Sequence, residues 1–146
     1  QSFKYGGQLA LAGLFARQMH LGIGRAVGVD LILPLPLHPL RLAERGFNKA
    51  AEIAKTLSQL TGIAMDAQRA RRVRNTAAQA DLPWRERAAN MRGAFACDGE
   101  LAGLRVAVVD DVMTTGATLD EFARTLKRSG AARVENWVVA LTPRGA

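Results

Sequence analysis

The sequence predicts an α/β fold of one domain, residues 1–146, in which a central parallel sheet of four to five strands is flanked by helices. Two runs, 30–36 (DLILPLP) and 106–109 (VAVV), are apolar without alternation, as in strands buried on both faces of a parallel sheet. Segments with helical spacing of apolar residues lie between and after these runs, and this order favours a sheet covered on both faces. A chain of 146 residues can bury such a core without disulfides or structural metals.

The first quarter of the chain predicts a helix followed by a strand. Residues 1–24 begin with a stretch expected to be extended, FKYGGQ, and continue as a helix with one apolar stripe, formed by Leu11, Leu14, Phe15 and Met19. The strand at 30–36 must end near Pro34, because prolines cannot donate to a sheet ladder. A stiff loop should follow it.

A second helix is predicted between Asn48, a good amino-terminal cap, and Gly62, which ends it. Its buried face is expected to contain Ile53, Leu57 and Leu60. Ahead of this helix stand Arg41 and Arg45, and each of them could either reach an anionic ligand or face solvent.

An insert at about 67–95 is predicted to start as a loop and to become helical from Pro83 to Met91. A short strand at 94–97 follows it, and residues 133–141 form the last strand of the sheet. Trp84, inside the insert, is either a stacking platform for nucleic-acid bases or an anchor to the rest of the domain.

The net charge of +7 is concentrated in this insert. The segment between positions 69 and 92 contains seven arginines and only two acidic residues, Asp81 and Glu86, so its net charge is +5. Such a segment can bind a polyphosphate, a nucleic-acid backbone or an acidic partner, or it can be a solvated face.

A single cysteine, Cys97, excludes an intrachain disulfide and a cysteine-rich metal site within these residues. No apolar run has the length that spans a bilayer. We therefore expect a cytoplasmic protein that has no membrane partner.

The stretch 105–128, RVAVVDDVMTTGATLDEFARTLKR, contains the clearest candidate for a ligand-binding site. A buried strand leads through the loop 111–118 into a helix, and the amide groups and dipole at a helix start can seat an anion. Asp110 and Asp111 stand at the carboxyl end of the strand, where α/β sheets bind ligands. Carboxylates beside an anion-binding loop suit a sugar phosphate, because they can accept hydrogen bonds from its hydroxyl groups. Alternatively, Asp110 and Asp111 are ordinary capping residues.

This stretch, VVDDVMTTGAT, resembles the signature of type I phosphoribosyltransferases, which bind phosphoribosyl pyrophosphate (PRPP). The resemblance implies that Asp110 and Asp111 bind the ribose hydroxyls and carry catalysis. The remaining ligand contacts that it implies, around the 5-phosphate, come from Val112, Met113, Thr114, Thr115, Gly116, Ala117 and Thr118. It also implies a diphosphate loop at Leu35, Pro36 and Leu37, helped by Arg45, and Mg²⁺ bound through PRPP.

A longer string, PLPLHPLRLAERGFNKAAEIA, together with FKYGGQ and the insert sequence RVRNTAAQADLPWRERAANMRGAF, resembles the ComF/GntX family of phosphoribosyltransferase-like proteins. Some members are linked to natural competence and DNA uptake. Full members usually carry a Cys-rich zinc module ahead of the matched region, and these 146 residues contain no CxxC pair. The insert would correspond to the hood that covers PRPP in type I enzymes.

The resemblance implies a domain that transfers a phosphoribosyl group from Mg-PRPP to an unknown acceptor. The alternative is a non-catalytic adaptor in DNA uptake, which senses PRPP or binds single-stranded DNA and the uptake machinery. In that case the DNA would lie on the basic insert, along Arg69, Arg71, Arg72 and Arg74.

Overall fold

The computed structural model describes residues 2–23, 28–76, 81–113 and 116–141. Successive strands of the main sheet are separated by at least one helix, as predicted. Its helices are α1 (Ser2–Ile23), α2 (Pro39–Arg45), α3 (Lys49–Thr61), α4 (Arg87–Met91) and α5 (Ala117–Arg128), with a 3₁₀ turn at Trp84–Glu86. Its strands are β1 (Leu31–Pro34), β2 (Ala64–Met65), β3 (Ala70–Arg72), β4 (Phe95–Cys97), β5 (Arg105–Met113) and β6 (Arg133–Leu141).

The main sheet is parallel, which confirms the predicted fold class. Its four strands in the described residues lie in the order β2-β1-β5-β6. β1 pairs with β5 from Leu31 opposite Val106 to Pro34 opposite Val109, and β6 pairs with the other side of β5. The central strand β5 is therefore held on both edges, and its carboxyl end lies beside the end of β1.

The sheet separates two apolar cores because successive strand residues point to opposite faces. Val106 and Val108 pack with α5 and the insert, whereas Ala107 and Val109 pack with α1 and α3. This alternation assigns Asp110 to the face that carries α5 and the insert, and Asp111 to the face that carries α3.

The insert is a short antiparallel ribbon, in which β3 pairs with β4, joined by the 3₁₀ turn and α4. It is fixed to α5: the rings of Phe95 and Phe122 lie 4.9 Å apart, and the buried Glu121 carboxylate accepts a hydrogen bond from the Gly93 amide at 3.2 Å. The predicted helix and closing strand of the insert are confirmed, but β3 lies where we expected a loop.

The prediction for α1 was wrong at its start and partly right for its buried face, where Met19 is buried and Phe15 packs against the core. FKYGGQ belongs to the helix rather than to an extended start, and the face buried against the rest of the protein contains Ala12, Ala16 and Met19. Leu11 and Leu14 are 37% and 49% exposed. Apolar residues occur all around this helix, so periodicity could not select the packed face, and small alanines allow close approach to α3.

The segment between β1 and α3 also differs from its prediction. Residues 39–45 form helix α2 instead of a loop, capped by the His38 side chain, whose Nδ1 accepts from the Leu40 amide at 3.2 Å. Gly46 ends α2 in the left-handed conformation, with φ of 84°. Asn48 and Gly62 cap α3 as predicted, and Ile53 and Leu57 are buried, but Leu60 is exposed.

Candidate functional site

The candidate site lies at the carboxyl ends of β1 and β5, where two loops leave adjacent parallel strands. The Leu35 amide donates to the Val109 carbonyl at 2.9 Å, which extends the pairing of the two strands by one residue. Asp110 and Asp111 follow Val109 directly and are half-buried. Neither acid is therefore fully enclosed by the apolar cores.

Asp110 has an unusual electrostatic environment. Burial, followed by the hydrogen bond and the charge of the Asp111 carboxylate, raises the pKa of Asp110 to about 8. The Asp111 amide donates to Asp110 Oδ1 at 2.8 Å, and the charge of Arg72 opposes the rise. At neutral pH the Asp110 carboxyl is therefore mostly protonated.

Asp111 is paired with a cation that sequence reasoning did not single out. Lys49, the first residue of α3, places Nζ 3.6 Å from Asp111 Oδ2. Its neighbour Asn48 donates to the Leu35 carbonyl at 3.1 Å and accepts from the Ala51 amide at 3.3 Å. Asn48 thus ties the loop after β1 to the start of α3. The position of Asn48 directly before a helix predicted its capping bond, but no feature of the sequence predicted its bond to Leu35.

The loop after β5 ends at Gly116, which caps α5 in the left-handed conformation, with φ of 85° and no side-chain capping bond. Glycine adopts this conformation without the steric penalty of other residues. Ala117 opens the helix, and Thr118 is half-buried in its first turn. The predicted ligand residues Thr114 and Thr115 lie outside the described residues.

Two more predicted ligand residues, Val112 and Met113, belong to the last part of β5 rather than to the loop. The loop itself is consequently shorter than the predicted 111–118. A 5-phosphate at this end of the sheet would meet the glycine turn and the start of α5.

The predicted diphosphate loop offers few amide donors. Leu35 and Pro36 are buried and Leu37 is half-buried. The Leu35 N–H is used by Val109, and proline has no N–H. Of these three residues, only Leu37 can present an amide to a ligand, so a diphosphate here requires additional cationic side chains.

Two arginines of α2 differ in where they point. Arg45, the predicted diphosphate residue, is exposed in the last turn of the helix. Arg41, one turn earlier, reaches the insert, where its Nη2 donates to the Thr76 carbonyl at 2.8 Å. Arg41 therefore joins α2 to the insert, and the role of Arg45 stays a prediction.

The four insert arginines that were predicted to bind DNA have different partners in the structure, and their binding to DNA stays a prediction. Arg69 pairs with Asp66 at 3.4 Å, and Arg71 pairs with Asp98 at 3.0 Å. Arg74 donates to backbone carbonyls on both sides of Met91. Arg72 instead lies over the Phe95 ring, with 5.5 Å from Cζ to the ring centre, and its charge acts on Asp110.

The parallel sheet, the acid pair at the end of its central strand and the glycine turn into α5 define a protein with the type I phosphoribosyltransferase fold. Two solved structures share the fold: a purine phosphoribosyltransferase from Pyrococcus horikoshii (TM-score 0.53, 21% identity, 93% of this chain and 74% of that one) and an allosteric regulatory enzyme of purine biosynthesis (TM-score 0.55, 20% identity, 90% and 25%). Residues 42–146 match the phosphoribosyl transferase domain. The chain belongs to this family.

Curated relatives confirm the likeness to ComF proteins. The chain is 39% identical over 136 residues to the DNA utilization protein YhgH of Salmonella typhi, covering 91% of this chain and 60% of the relative. It is 32% identical over 149 residues to Competence protein F of Haemophilus influenzae, covering 96% and 65%. The chain thus spans about three fifths of the length of these relatives.

The described residues contain neither a candidate membrane-spanning helix nor a candidate metal-binding cluster. None of their helices has the length and apolarity needed to cross a membrane. No group of three or more His, Cys, Asp and Glu side chains among them is arranged to hold a metal ion. Mg²⁺ commonly completes its shell with substrate phosphates and water, so an ion bound through PRPP would not need such a group.

Proposed function

We propose that this domain binds PRPP and transfers its phosphoribosyl group to an acceptor, with release of diphosphate. The observation that carries the proposal is the position of Asp110 and Asp111, half-buried at the mouth of β5 and beside the glycine turn that opens α5. Carboxylates accept hydrogen bonds from ribose hydroxyls, and the start of α5 attracts the 5-phosphate. We place this activity in the cytoplasm.

Each part of the site has a role in this reaction. Asp110 and Asp111 hold the ribose, and Lys49 keeps Asp111 oriented towards it. The bond from the anomeric carbon to the diphosphate oxygen breaks as the bond to the acceptor forms, and the sugar gains positive charge, which nearby carboxylates stabilise. Mg²⁺ bound through PRPP would neutralise charge on the diphosphate. The reaction requires no protein nucleophile.

A second function, in the handling of single-stranded DNA, is favoured by one surface of the insert. Trp84 is 40% exposed, and the guanidinium of Arg87 lies 5.9 Å from its ring centre. An exposed aromatic ring beside arginines is a common way to stack bases without sequence preference. The names of the Salmonella and Haemophilus relatives agree with a role in DNA use or uptake.

The test measures diphosphate release from Mg-PRPP with a panel of nucleobases and amines, together with calorimetric binding of PRPP. We expect PRPP binding that is lost in the Asp111→Asn variant and release with at least one acceptor. If PRPP binds but no acceptor in the panel causes diphosphate release, the domain is a non-catalytic PRPP sensor. Absence of PRPP binding refutes both proposals for this site.

DNA binding is tested separately with a labelled oligonucleotide at low and high salt. The adaptor function predicts an affinity that falls steeply with salt and drops in the Trp84→Ala variant. No measurable binding at low salt would eliminate it.

A further inference from the structure

One acidic residue of the described part of the chain is buried, and the reaction proposed above does not use it. Glu121, in the second turn of α5, is only 5% exposed. Its Oε2 accepts a hydrogen bond from the Gly93 amide at 3.2 Å, and its Oε1 accepts one from Arg124 Nη1 at 2.8 Å. Burying a carboxylate costs free energy, and an apolar residue could fill the same space without that cost. The position of Glu121 therefore indicates a role beyond packing.

The Gly93 amide belongs to a tight turn that joins α4 to β4. Gly93 has φ of 65°, the left-handed conformation that glycine adopts without steric penalty. Arg74 holds the same turn from within the insert, because its Nη2 donates to the carbonyls of Asn90 and Arg92. The turn is thus fixed inside the insert by Arg74 and fixed to α5 by Glu121.

A short path leads from this turn to the acid pair. Gly93 stands two residues before Phe95, which pairs with Arg72 across the ribbon and lies under its guanidinium. Burial is the main cause that raises the pKa of Asp110, and the charge of Arg72 opposes the rise. The position of the turn therefore determines how strongly Arg72 acts on Asp110.

We propose that Glu121 is a positioning residue, which holds Arg72 close to Asp110 by fixing the insert to α5. The rings of Phe95 and Phe122 pack the same two elements together, but apolar contact is non-directional, whereas a hydrogen bond to one amide has a defined geometry. The inference rests on the proposed function only for the importance of Asp110, and its test requires no ligand.

A purely stabilising role for Glu121 is the alternative, and the direction of one change separates the two roles. Loss of the negative charge of Glu121 by itself would leave the pKa of Asp110 unchanged or lower it, because a nearby negative charge raises the pKa of a carboxyl. Displacement of the Arg72 charge raises the pKa of Asp110. An upward change therefore reports the position of Arg72.

The experiment uses two matched variants of Glu121. Glu121→Asp keeps the charge but shortens the reach to Gly93, whereas Glu121→Gln keeps the reach and an acceptor oxygen but removes the charge. NMR measures the hydrogen exchange of the Gly93 amide and the titration of the Asp110 carboxyl. In Glu121→Asp we expect exchange at least about tenfold faster and a titration midpoint higher by about 0.5 pH or more.

Glu121→Gln should leave the Gly93 exchange rate within about threefold of the unmodified protein and should not raise the midpoint of Asp110. Arg124→Gln is a second control, since it removes the ion pair of Glu121 and leaves the bond to Gly93. Circular dichroism checks the fold of each variant. Glu121→Leu, which has no acceptor, replaces Glu121→Asp if the latter does not fold, with the same expected changes.

Two results in the folded Glu121→Asp variant would overturn the proposal. Faster exchange at Gly93 without a higher midpoint for Asp110 would show that Glu121 only stabilises the fold, and unchanged exchange would show that its bond does not hold the turn. Equal changes in Glu121→Gln or Arg124→Gln would assign the effect to the ion pair and overturn the route through Gly93. A failure of PRPP binding would refute the proposed function and leave these measurements unaffected.

Discussion

The Asp110→Asn variant should lose less stability than the unmodified protein when the pH rises from 5 to 8. The difference in the free energy of unfolding between the variant and the unmodified protein should therefore favour the variant more at pH 8 than at pH 5. The cause is the acid pair at the end of β5, where burial and the neighbouring Asp111 carboxyl raise the pKa of Asp110 to about 8. An unfolded aspartate has a pKa of about 3.9. Between these values the folded state binds the proton and the unfolded state releases it.

The sign follows from proton linkage. Because the unfolded chain binds fewer protons in this interval, the free energy of unfolding falls as pH rises from about 4 to about 8 and levels off above it. Each pKa unit corresponds to about 1.4 kcal/mol. Asp110 is half-buried and can gain water when charged, so we expect a smaller loss, roughly 1 to 3 kcal/mol between pH 5 and pH 8. Asparagine cannot ionise and removes this dependence.

Urea denaturation at pH 5, 6.5 and 8 measures the effect, with Asp98→Asn as the control. The Asp98 side chain is 60% exposed and pairs with Arg71 at the surface. Its removal should leave the decline between pH 5 and pH 8 in place. A parallel decline in Asp110→Asn and the unmodified protein would show that Asp110 is not the group that titrates, and the electrostatic description of the site would be wrong.

Three further predictions concern the same region. PRPP affinity should rise from pH 6.5 to pH 8.5, because Asp110 must ionise to accept hydrogen bonds from the ribose hydroxyls. The proton that is released should make the binding enthalpy depend on the buffer. An affinity that does not change with pH contradicts this prediction. Asp110→Asn combined with Asp111→Asn should weaken PRPP binding by at least about 2 kcal/mol in calorimetry, since charge-assisted hydrogen bonds contribute roughly 1.5 to 3 each; unchanged affinity contradicts it. Asn48→Ala should lower the free energy of unfolding by about 1 to 2 kcal/mol in urea titration, because it removes a helix cap and the tie to Leu35, and a change below about 0.3 kcal/mol would show that neither bond matters.

The sequence was most informative where local pattern and tertiary role agree. The apolar run 106–109 can only be a strand buried on both faces, and the glycine turn and helical spacing after it placed α5 correctly. Asn48 and Gly62 marked both ends of α3, because caps depend on the chemistry of single residues.

The sequence was least informative where direction depends on partners distant in the chain. Apolar residues surround α1, so its packed face is set by contact with α3 and β6. In β3, Arg71 and Arg72 look alike in sequence, yet strand alternation sends one to Asp98 and the other to the site. The pairing of Lys49 with Asp111 joins two residues that are far apart in the chain.

Adjacent acids on a strand explain why this site draws on both layers of the domain. Since consecutive side chains point to opposite faces, Asp111 meets Lys49 from the α3 layer, and Asp110 lies within the electrostatic influence of Arg72 from the insert layer. A ligand held by both acids must therefore touch both layers. Movement of the insert relative to the sheet would change the surroundings of Asp110 far more than those of Asp111. Proton binding at Asp110 should accordingly depend on the position of Arg72, whereas Asp111 is paired with Lys49 on the body of the domain.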